Sequence, residues 1–184
     1  MGMFQLKDKV VYPGHGVAVV EEVIERSVSA IEVKFIKLVF LFKDMMILVP
    51  IYNIAAIGIR LPNNLLFVEE ALKELYSKPE KRLETLDFTP SGWNKRNKEY
   101  QMKIQGGSLL DLIKIYRDVM HIAQIKDLSF GERTLLQNIE ELIIQEIQVV
   151  KNIDREIVTQ EIRSPFKQLF FHDRSFVGEV ASVL

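Results

Sequence analysis

The chain has 184 residues, 48% of them apolar and 27% charged, proportions that exclude a disordered protein and leave room for one large domain or two small ones. Cysteine is absent, which excludes disulfides and thiolate metal sites and fits a reducing compartment. A net charge of −1 argues against a protein that simply coats nucleic acid.

The first part reads as β. Val10, Val11 and Tyr12 run into the turn cluster Pro13-Gly14-His15-Gly16. Residues 17–24 form the next strand, residues 27–30 are polar and small enough to turn a hairpin, and residues 31–42 are rich in β-branched and aromatic side chains. Lys43-Asp44 makes another turn, and residues 45–49 return as a strand that Pro50 ends. Four or five short strands with close turns predict a small twisted barrel of SH3 or Tudor type. Such a barrel exposes strand edges, and an edge is either an aggregation hazard or a docking site for a partner's strand. That edge is expected at about residues 40–49. Lys34, Lys37, Lys43 and Asp44 interrupt the apolar runs, so no membrane span is expected. The start of the chain lacks a signal-peptide pattern, and the protein is expected to be soluble and cytoplasmic.

After Asn63 the periodicity becomes helical. Leu65, Leu66, Val68, Leu72 and Leu75 form one stripe, and Ser77-Lys78-Pro79-Glu80 resembles a capping box that opens a short second helix. A helix from Trp93 to about Ile104 follows a loop and is stopped by Gly106-Gly107. Leu109, Leu112, Ile113, Tyr116, Val119 and Met120 give the next helix its buried stripe. Ser129-Phe130-Gly131-Glu132 is a good capping box for the longest helix, with Leu135, Ile139, Leu142, Ile143, Ile147 and Val150 on one face. Residues 154–162 add a turn or two, and a partly ordered tail is expected beyond. The fold class is α+β, a β part then an all-α part: a small SH3/Tudor-like β-barrel at residues 1–62, a helical domain of about five helices at 63–163, and a tail at 164–184.

Ser91-Gly92-Trp93-Asn94-Lys95-Arg96-Asn97-Lys98 holds the single tryptophan, followed by three cations before any acid. On a helix Trp93 shares a face with Arg96 and Asn97. An indole beside a basic cluster suits nucleic acid, with cations on phosphates and a flat ring stacking on or wedging beside a base. The competing reading is an amphipathic helix with a core tryptophan and solvated charges. Residues 93–133 carry eight Lys/Arg against five Asp/Glu, so any DNA contact is local. His15, His121 and His172 lack ligand-like spacing, and no nucleophile motif or carboxylate pair stands out. No catalytic residue, metal site or cofactor is expected.

The stretch Leu6-Lys7-Asp8-Lys9-Val10-Val11-Tyr12-Pro13-Gly14-His15-Gly16-Val17 resembles the opening of the CarD/CdnL family of bacterial transcription regulators. Met45 to Pro50 with Asn53, Trp93 with its basic followers, and Leu128-Ser129-Phe130-Gly131-Glu132-Arg133 agree in order and spacing. The resemblance covers about residues 3–150. It implies a Tudor-like domain that pairs a strand with the RNA polymerase β subunit, a domain shared with transcription-repair coupling factors. It also implies a helical domain on promoter DNA at the upstream edge of the melted bubble, with Trp93 as a minor-groove wedge that stabilises the open complex. As the basic followers of Trp93, Lys95, Arg96 and Lys98 are DNA-contacting candidates; by match to family positions Arg133 is a further one and Arg26 is a polymerase-contacting one, with Leu48 at a second polymerase-contacting position. Leu48 and Ile122 stand where some members carry arginine. A monomer and a non-enzymatic role are expected. The alternative is a protein-interaction adaptor with a Tudor-like barrel and no direct DNA contact.

Overall fold

The computed structural model describes residues 4–28, 31–79 and 86–167. Four antiparallel strands come first: β1 (Lys9–Tyr12), β2 (Gly16–Val28), β3 (Ile31–Phe40) and β4 (Met46–Pro50), in the order β1-β2-β3-β4. The sheet curls into a half-barrel. A bulge between Val20 and Glu22 bends β2, and a bridge between Val11 and Arg60 covers part of the outer edge of β1. Val10, Ala18, Val20, Ile36, Leu38, Phe40 and Val49 point inward, and Phe4, Ile54 and Ile59 complete that core.

The apolar stretch at 35–42 divides between strand and turn: β3 ends at Phe40, and Leu41 and Phe42 beyond it are exposed. Ile36, Leu38 and Phe40 alternate into the core of an interior strand. Phe40 therefore leaves the expected docking edge, which is β4 alone. β2 runs further than its sequence pattern suggests and β3 stops two residues short of its own, and their hairpin extends past β4, which pairs with β3 only from Phe35 to Val39.

The described helices are α1 (Ile54–Ile57), α2 (Leu65–Lys73), α3 (Pro90–Gly106), α4 (Leu109–Ala123), α5 (Phe130–Lys151) and α6 (Arg155–Arg163). α1 is a single turn that sequence periodicity did not indicate. The expected stripes of α4 and α5 face each other in one core with Val68, Leu72, Leu75, Val158 and Ile162. Ser77 does not open a helix. It closes the 3₁₀ turn Glu74–Tyr76, donating to the Glu74 carbonyl at 2.9 Å and accepting from Arg117 Nη1 at 2.6 Å. The rest of that expected helix, residues 80–85, lies outside the described residues. The tail also begins later than residue 164. Ser164–Phe166 is a 3₁₀ turn, and the buried Phe166 ring meets Tyr116 at 6.1 Å and His121 at 5.6 Å. Residues 168–184, with His172, lie outside the described residues.

The two clusters of buried apolar residues are separate, and their junction is polar. Arg60 donates from Nη1 and Nη2 to the two oxygens of Glu146 at 2.7 and 2.8 Å, and from Nε and Nη2 to the Gly107 carbonyl at 2.9 and 2.7 Å. Asn63 donates its backbone and side-chain N–H groups to Glu146 Oε1 at 3.0 and 2.8 Å. The Val17 N–H donates to Gln145 Oε1 at 3.2 Å. Pro13 lies on Gly107, where a Cβ would stand 2.7 Å from Pro13 Cγ. Gly16 has φ +107°, and a Cβ there would overlap the Gln145 amide. The Pro13-Gly16 turn thus docks the sheet onto the helices as well as reversing the chain.

Candidate nucleic-acid interface

α3 begins three residues earlier than its apolar pattern indicates, because Thr89 caps it and Pro90 supplies a preset φ. The Thr89 hydroxyl accepts from the Gly92 N–H at 3.2 Å, and Asp87 accepts from the Thr89 N–H at 2.9 Å. The Thr89 hydrogen bonds hold the Asp87 carboxyl below its ordinary value. Along α3, Trp93, Arg96, Tyr100 and Ile104 recur at helical spacing and turn towards the core. Burial pushes the Tyr100 phenol up to about 12.

Arg96 corrects the sequence reading. It is 6% exposed, so it is not presented to a phosphate. Its Nη1 donates to the Asp87 carbonyl, its Nη2 lies 3.5 Å from Glu132 Oε1, and its guanidinium stands 5.8 Å from the Phe88 ring centroid. The physical reason is Glu132. That carboxylate is buried at the first turn of α5, where the capping box holds it: Ser129 donates its N–H to Oε2 at 2.9 Å and accepts from the Glu132 N–H at 3.3 Å. A buried carboxylate needs cations. Lys126 supplies one at 2.6 Å, and Arg96 turns inward to supply the other. Burial alone would raise the Glu132 carboxyl, but the bonds from Lys126 and Ser129 outweigh it and hold the group below its ordinary value.

Trp93 falls between the wedge and core readings. It is half-buried and packs against the helical core, with its indole edge on the first turn of α5. Lys95 and Lys98 are exposed on α3, and Arg133 is exposed on α5 beside that turn. The structure therefore brings Trp93 and the α5 start together and leaves three of the four proposed cations in solvent. Phe130, read in the sequence only as part of a capping box, is 80% exposed next to Gly131. Ile122 is buried in α4, so that position does not face outward in this chain.

The polymerase candidates lie apart from this face, on the sheet. In the antiparallel β3–β4 pair, the bond from the Phe40 N–H to the Met45 carbonyl sets the alternation. The Met45 carbonyl and the backbone groups of residues 47 and 49 turn towards β3, and Met46 and Leu48 turn theirs outward. Leu48 is half-buried opposite Lys37 on this open edge. Arg26 is exposed opposite Val33, on the part of the hairpin that passes the end of β4. The two share one end of the sheet but not one strand.

Among the described residues no three His, Cys, Asp or Glu side chains are placed to hold a metal ion, and no helix is long and apolar enough to cross a membrane. A curled sheet with an open edge at β4, docked on helices that display a half-buried indole among cations, defines a two-module protein of Tudor-like sheet plus helical domain. Residues 4–60 match the CarD-like/TRCF RID domain, and residues 83–163 match the CarD C-terminal domain. The chain belongs to the CarD family. A candidate transcription factor of Bacillus subtilis (strain 168), YdeB, is 26% identical over 151 residues, covering 82% of this chain and 94% of its own length.

Proposed function

We propose that the chain is a bacterial transcription regulator that bridges RNA polymerase and promoter DNA. β4 pairs with a strand of the polymerase β subunit, and the α3–α5 face meets the minor groove at the upstream edge of the bubble. Trp93 wedges at the unstacked step while Lys95, Lys98 and Arg133 contact phosphates. The observation that carries this reading is the placement of Trp93. One side of the indole is fixed by packing, as a rigid wedge requires, and exposed cations flank it on α3 and α5. Tethering to polymerase supplies effective concentration, so a chain of net charge −1 need not bind free DNA tightly.

The test is a pair of measurements on one sample: capture of the polymerase β subunit, and the dissociation rate of open promoter complexes with and without the protein. Retained capture with no slowing of dissociation in any promoter tested would favour the adaptor reading. The inward turn of Arg96, which removes one cation from the DNA-facing set, is the observation on that side.

A further inference from the structure

We propose that Glu146, together with Arg60 and Asn63, is a positioning device that fixes the angle between the strand-pairing sheet and the DNA-facing helices. The proposal rests on the bridging function above and adds how the two contacts are held in register.

Two modules with separate apolar cores are expected to move relative to each other unless a large hydrophobic interface stops them. Here the cores stay separate. The junction instead contains a carboxylate that is 1% exposed and receives four donors, two from Arg60 and two from Asn63. A buried ion pair is a poor source of net stability, because desolvation cancels much of the attraction, yet its bonds are directional and fix geometry. Arg60 extends the lock in two directions. Its backbone bridges Val11 in β1, and its side chain reaches the Gly107 carbonyl between α3 and α4. Sheet edge, α3–α4 corner and α5 are thereby tied to one guanidinium.

A second set of contacts repeats the pattern. The buried Gln145 accepts from the Val17 N–H and donates from Nε2 to Glu141 at 2.8 Å, and Arg155 holds Glu141 in turn at 2.6 Å. Gly16 makes room for that amide. Two adjacent residues of α5 thus grip two points of the sheet. Trp93 packs on the opposite end of the same helix, at Gly131. α5 is therefore the lever between the clamp and the indole, and a small rotation at residue 146 displaces the wedge. Positioning of this kind gives effective concentration only while the linkage is stiff.

Glu146→Gln in the full chain keeps an acceptor for Asn63 and removes the ion pair. Because the chain has no cysteine, Lys9→Cys and Gln137→Cys at exposed positions give one spin-label pair across the junction. The expected result is a broadened distance distribution, unchanged β-subunit binding, and open-complex dissociation about tenfold faster. An unchanged distribution, or a broadened one with unchanged dissociation, overturns the proposal. If Glu146→Gln fails to fold, Asn63→Ala carries the same measurements, since Asn63 touches Glu146 from the linker and belongs to neither core. A wild-type chain that never slows dissociation sinks the bridging function instead, and the distance distribution alone then decides the clamp.

Discussion

Gly131 lies against Trp93 so closely that a Cβ at residue 131 would stand 3.4 Å from indole Cζ2 and Nε1. The start of α5 therefore serves as the floor on which the indole rests. This contact makes Trp93 neither a core residue nor a free surface group, and it sets the first prediction. Trp93→Ala should cost about 1–3 kcal/mol of stability, less than the roughly 3–5 kcal/mol of a fully buried aromatic. Open-complex dissociation should accelerate about tenfold, since stacking or wedging contributes roughly 1–3 kcal/mol. A melting curve and a dissociation rate on the same sample check both. A large loss of melting temperature with no change in dissociation from the folded fraction would return the indole to the core.

Arg96 and Lys95 are sequence neighbours with opposite expected phenotypes. Arg96→Ala leaves a buried carboxylate short of a cation and should cost near the low end of about 3–5 kcal/mol, because Lys126 still pairs with Glu132. Lys95→Ala, Lys98→Ala and Arg133→Ala should leave melting unchanged. Each should flatten the dependence of open-complex stability on salt, by about 0.9 per lost phosphate contact. Parallel salt slopes in all three variants would remove them from the DNA face.

Strand pairing predicts a backbone effect that side-chain changes cannot match. Leu48 turns its N–H outward, so Leu48→Pro should leave the β3 ladder intact and abolish capture of the polymerase β subunit. Leu48→Ala should weaken it only partly. Arg26→Glu, on the protruding hairpin, should reduce capture through charge alone, read by calorimetry against the isolated β fragment. Full capture by Leu48→Pro would mean that another surface docks.

The carboxyl of Glu132 predicts an acid response. Its folded value is depressed, so the stabilisation is complete above the unfolded value near about 4.3 and is lost as pH falls through the lower folded value. The stability gap between wild type and Glu132→Gln should therefore be constant near neutrality and close only below about pH 4. Denaturant midpoints across that range would show it, and a gap that closes near pH 6 would assign the effect to another group.

Much of the helical module was legible because its signals are local. The Ser129–Glu132 capping box and the stripes of α4 and α5 stand where periodicity placed them. What remained hidden depends on partners far away in the chain. Arg96 reads as a surface cation until Glu132, in another helix, is seen to be buried. Phe166 follows a proline after the last periodic residue, and only the Tyr116 and His121 rings show why it is core. Glu146 did leave a trace. It stands one turn from Leu142 and one from Val150, a carboxylate on an otherwise apolar stripe, which is a signature of a buried ion pair. The identity of its partner, Arg60, was not in any local pattern.

The contact from Val17 to Gln145 has a sequence separation of 128 residues. During synthesis at roughly 5–20 residues per second, Arg60 is made roughly 4–17 s before Glu146. For that interval the sheet has its strands but not the helix that grips them, and the Arg60 guanidinium has no carboxylate to meet. Docking of the two modules through this clamp therefore follows the synthesis of α5. A chain released before α5 emerges would present a finished sheet with a bare cation and an uncovered Gly16 turn to the cell's quality-control machinery.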